Sequence, residues 1–149
     1  MNLLKYLRWY MPIIFIGIAF SQPTVAVLDF DANGIPDYEV ETLVERLRSE
    51  LPNTGAVRLV DRKMLENILK EQGLQQSGCT TDECAAQIGE LLGAQFMISG
   101  SIGKLENIFT VDMKMVSVST GAAERAKNLS FDGNVGGLLI EMQILAWEI

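Results

Sequence analysis

Val25-Ala-Val-Leu-Asp-Phe-Asp-Ala-Asn-Gly-Ile-Pro-Asp-Tyr38 admits three readings, and each belongs to a different kind of protein. As a calcium loop, Asp29, Asp31, Asn33 and Asp37 alternate around Gly34. As a phosphatase strand, an apolar run ends in Asp-x-Asp, with Asp29 the nucleophile and Asp31 the acid. As the start of a non-catalytic domain, Val25 to Phe30 is a core strand and Asp31 to Pro36 is the turn into a helix.

Composition narrows the choice. The 149 residues give room for one domain. Hydrophobic residues make up 48% and charged residues 21%, which favours a packed core over disorder. The net charge is −7, and no Lys/Arg cluster occurs. Nucleic acid and anionic lipid are therefore not expected as partners, because phosphate contacts need cations. The chain has no histidine. That removes Ser–His and Cys–His nucleophile pairs and histidine metal ligands. Acid–base chemistry would fall to carboxylates or lysine, and no cofactor is expected.

Residues 1–21 read as a signal peptide, leaving 22–149 as a single domain. Lys5 and Arg8 precede an uncharged apolar run from Trp9 to Phe20, and Ala19 and Ser21 suit cleavage after Ser21. The run is shorter than the roughly 20 residues of a membrane span, so no span is expected after cleavage. The alternative is a leader kept as an anchor. With no cysteine near the cleavage point, lipid attachment is not expected. Export to an oxidising compartment makes a structural Cys79–Cys84 disulfide the expected pairing. Four residues separate them, where a redox-active pair has two, and a zinc site would lack two ligands.

The periodicity predicts the order β-α-β-α-α-β-β-β-α, a mixed α/β sheet of about five strands packed by helices. Thr24 to Phe30 is the first strand. The first helix carries an apolar stripe of Val40, Leu43, Val44, Leu47 and Leu51, with Glu41, Glu45, Arg48 and Glu50 on its wet face. Ala56 to Val60 is a strand. Asp61 and Thr81 cap the next two helices, which turn Met64, Leu65, Ile68, Leu69 and Ala85, Ile88, Leu91, Leu92 inward. After Gly93 three strands follow, over 95–104, 107–119 and 122–131. In the middle one Phe109, Val111 and Met113 alternate with wet Thr110, Asp112 and Lys114. Asn128-Leu-Ser matches an N-glycosylation pattern. A last helix uses Val135, Leu138, Leu139, Met142 and Leu145.

That order weighs on the three readings. The calcium loop should carry a bidentate glutamate at its twelfth position and has Val40. The phosphatase reading resembles haloacid dehalogenases only at Asp29-Phe-Asp31. That family also needs a downstream lysine, a magnesium-binding acid pair and a larger parallel sheet. The third reading gathers more of the chain. Val25-Ala-Val-Leu-Asp-Phe30, Val57-Arg-Leu-Val-Asp-Arg62 running into Met64-Leu-Glu-Asn-Ile-Leu-Lys-Glu-Gln-Gly73, Ile88 to Ile102 and Val116-Ser-Val-Ser-Thr-Gly121 together resemble CsgG-type domains. The likeness covers about residues 24–147. That family includes the curli secretion channel CsgG, the ring-forming PelC and the penicillin-binding-protein activator LpoB, and the TolB N-terminal domain is similar in fold. It implies a non-enzymatic periplasmic domain, associated with the outer membrane, that serves envelope assembly, secretion or polymer export. Its partners would be envelope proteins or further copies of itself. Calcium binding through Asp29, Asp31, Asn33 and Asp37 remains the alternative, and an Asp-dependent phosphohydrolase the second.

Overall fold

The computed structural model describes residues 21–73 and 81–149; residues 1–20 of the leader and Cys79 lie outside them. Among the described residues no helix is long and apolar enough to cross a membrane. The elements are β1 (Thr24–Val27), β2 (Asp31–Asn33), α1 (Asp37–Glu50), a 3-10 turn (Leu51–Thr54), β3 (Arg58–Leu59), α2 (Arg62–Glu71), α3 (Asp82–Leu92), β4 (Phe96–Leu105), β5 (Ile108–Ser117), β6 (Ala123–Asp132) and α4 (Val135–Glu148). They build a mixed sheet ordered β3-β1-β4-β5-β6, with β2 also paired to β4. β1 runs parallel to β3 and β4, while β4, β5 and β6 are antiparallel.

The helices form because each has an apolar face to bury, and α2, α3 and α4 each carry a side-chain cap at the start. Asp61 accepts from the Lys63 and Met64 amides, Thr81 from Cys84 and Asn134 from Gly137. α1 and α4 lie on one face of the sheet. There Val40, Leu43, Leu47, Leu138 and Met142 meet Val25, Val27, Ile98, Val111 and Met113. α2 and α3 lie on the other face, packing Leu65, Leu69, Ile88 and Leu92 against Ala26, Leu28 and Met97. Met64 and Leu91, expected inward, are about half exposed. Each lies beside the buried face of its helix, which is Leu65 and Leu69 in α2 and Ala85, Ala86, Ile88, Gly89 and Leu92 in α3.

The segment expected as a turn holds a sixth strand. Val27 stands opposite Ile98, and Asp31 opposite Ser101. Four steps along one strand thus accompany three along its neighbour, which defines a one-residue β-bulge. The bulge reverses which side chains face inward. Val25 and Val27 point to the α1–α4 core before it, and Phe30 and Ala32 after it. Asp31 is thereby turned out of the core. Had the alternation run on unbroken, Asp31 would be buried and Phe30 exposed.

Phe30 fits because β4 has a glycine beneath it. A Cβ on Gly100 would come within 2.7 Å of the Phe30 ring and 2.2 Å of the Asp112 carbonyl oxygen. Gly100→Ala is expected to cost about 1–3 kcal/mol by overpacking. Urea unfolding measures this, and an unchanged midpoint would contradict the contact.

Candidate interaction surface

Arg48 holds the bulge. It sits near the end of α1 and is 6% exposed, although its helical position had placed it on the wet face. One guanidinium nitrogen donates to the Val27 carbonyl at 2.9 Å and to the Asp29 carboxylate at 2.8 Å. The other donates to Glu45 at 2.6 Å. A buried guanidinium costs several kcal/mol unless its donors are matched, and here three acceptors match it. Arg62, the first residue of α2, extends the network to Glu41, Glu45 and Glu66. Burial would raise the Glu45 carboxyl, but hydrogen bonds and charge from Arg48 and then Arg62 outweigh it and hold it below its ordinary value.

The four residues expected as calcium ligands are thus separated by role. Asp29 is paired with Arg48. Asp31 and Asn33 belong to β2, and Asp37 opens α1. Among the described residues no three His, Cys, Asp or Glu side chains come together as a metal site. Cys84 lies in the first turn of α3, where its amide donates to Thr81.

The helices leave part of the sheet uncovered. Among the described residues the α2–α3 cluster takes nothing from β6. Beyond the reach of α3, the outward side chains of β2, β4, β5 and β6 line an open groove of about 280 Å³. Ser99, Gly100, Ser101 and Ala126 make a shallow floor, and Asp29, Asp31, Asp112, Lys114 and Asn128 supply the polar groups. Register sets them in rows. Asp31 stands beside Ser101, Ser101 beside Asp112, and Asp112 beside Asn128. Asn128 donates to the Asp112 carboxylate, and Lys114 is ion-paired with Asp82 at the start of α3. The wet alternation of Thr110, Asp112 and Lys114 was visible in the sequence. Ser101 and Asn128 were missed, because a row across four strands depends on register.

Fold and surface together define a small α+β domain with one polar sheet face open to a partner. Residues 12–126 match the model of the peptidoglycan-synthase activator LpoB, and the chain belongs to that family. The family is one of regulatory activators and not of enzymes, which removes the phosphohydrolase alternative. No curated protein matches the chain significantly. Among solved structures, the LpoB C-terminal domain from Salmonella enterica is 23% identical, with 75% of this chain covering 84% of that one at TM-score 0.61. Lipoprotein GNA1162 from Neisseria meningitidis is 9% identical, with 83% of this chain covering 94% of that one at TM-score 0.65. The PelC dodecamer from Paraburkholderia phytofirmans is 17% identical, with 85% covering 83% at TM-score 0.52. At these identities the likeness is one of fold. One of the three is a lipoprotein, so they lend no support to the expectation of an unlipidated chain.

The network makes stability depend on acid. Because the folded Glu45 carboxyl is held below its unfolded value, its contribution is complete above about pH 4.3 and is lost as pH falls through the folded value. Glu45 is half exposed, so Glu45→Gln is expected to cost no more than about 1 kcal/mol at neutral pH. The variant should also lose less stability than the parent on acidification. Thermal unfolding across pH 3–7 measures both, and parallel curves would contradict the assignment.

Proposed function

We propose that the chain acts in the cell envelope as a non-enzymatic activator that binds a peptidoglycan synthase. The match of residues 12–126 to the activator family carries this reading. The signal-peptide pattern of residues 1–21 supports export, with 22–149 working as one periplasmic domain at the outer membrane. Fold likeness to PelC supports a wider kinship with CsgG-type domains and makes a homo-oligomer the second mode of association. A role in secretion has less behind it, since the matched family is named for synthase activation.

The purified chain is expected to bind the peptidoglycan synthase of its own organism and to raise the rate of glycan-strand synthesis in a reconstituted assay. An unchanged rate together with no binding would overturn the proposal.

A Cys79–Cys84 disulfide belongs to the same picture of an exported domain. It would tie the segment after α2 to the first turn of α3, adding roughly 2 kcal/mol by loop-closure entropy. Native exported protein should show no reactive thiol until reduced. Two titratable thiols in the native protein would refute the bridge.

A further inference from the structure

The geometry points to an arginine clamp on the open sheet face: a partner's guanidinium lies over Ser101, between the carboxylates of Asp31 and Asp112. This rests on the reading of the chain as a protein-binding activator and adds the chemistry of the surface that binds. Asp31, Ser101, Asp112 and Asn128 form one row across β2, β4, β5 and β6, and all four line the same groove. Two strand spacings separate the aspartates, roughly 10 Å. That span carries no metal site among the described residues, since no three His, Cys, Asp or Glu side chains come together there. It suits a planar guanidinium, which donates from both edges over about 2.8 Å each. The residue between the acids is a serine, so the floor is low enough for a long side chain to lie across it.

The charges favour the same occupant. Several neighbouring carboxylates already have cations: Asp29 pairs with Arg48, Glu41 and Glu45 with Arg62, and Asp82 with Lys114. Among the described residues Asp31 has no ion pair, and Asp112 accepts from the neutral Asn128 amide alone. Both are exposed. Lys114, the nearest cation on the floor, is drawn away toward α3. The row therefore presents two exposed carboxylates that have no ion pair among the described residues. A basic protein segment complements it.

Two measurements separate the clamp from the functional reading it rests on. In the first, Nα-acetyl-arginine amide is titrated into the full 15N-labelled chain, with the lysine analogue and sodium chloride at matched ionic strength as controls. Saturating amide shifts at Ser101, Asp112 and Asn128 are expected with the arginine probe, and none in the Asp31→Asn/Asp112→Asn variant. No shift with arginine, or equal shifts with lysine, overturns the clamp. In the second, binding of the organism's peptidoglycan synthase is compared between parent and double variant. The variant should bind about tenfold more weakly or worse, with a flatter salt dependence, and keep its melting temperature. If the parent binds and the variant binds equally well, the clamp is not the docking site. If the parent itself does not bind, the synthase reading fails and the arginine titration alone judges the clamp.

Discussion

Arg48 and the bulge it closes set the geometry of everything around them. Its guanidinium reaches from α1 to the Val27 carbonyl and the Asp29 carboxylate, at the point where the first strand gains its extra residue. A bulged residue leaves backbone polar groups outside the ladder, and a buried carbonyl without a donor is costly. Arg48 supplies that donor and neutralises the acid beside it. It also fixes α1 against the sheet edge, and through Glu45 and Arg62 it fixes the start of α2. One buried cation thus couples the sheet to helices on both of its faces.

The inversion at the bulge has two consequences. On the inner side Phe30 enters the α1–α4 core and covers Gly100. On the outer side Asp31 joins the row of Ser101, Asp112 and Asn128. Core and surface are therefore linked: the contact that seats the aromatic ring also presents the carboxylate. The surface faces outward because α2 and α3 are short and cover only the half of the sheet built from β1 and the start of β4.

Most of the architecture could be read from periodicity. The stripe of α1, the caps Asp61 and Thr81, and the alternation of Phe109 to Met113 all lie where the residue spacing places them. These are local signals. What escaped depends on partners distant in sequence. β2 exists because Asp31 to Asn33 find unpaired groups on β4, seventy residues away. Arg48 reads as a wet-face residue because nothing near it reveals that the strand curls beneath it. The acids of the opening segment suggested metal or phosphoryl chemistry by type and spacing. In the fold Arg48 stands opposite Asp29 and Ser101 beside Asp31, partners that residue type and spacing do not reveal.

The register of that segment is open to direct observation by NMR. Nuclear Overhauser contacts from the Phe30 ring in the full labelled chain report which way the strand faces after the bulge. Contacts from the ring to the Gly100 α-protons, with those protons shifted upfield by the ring current, are the expected result, along with a backbone contact between Asp31 and Ser101. A Phe30 ring with no contact to Gly100, and Asp31 on the α1–α4 side, would contradict the bulge and the surface that depends on it.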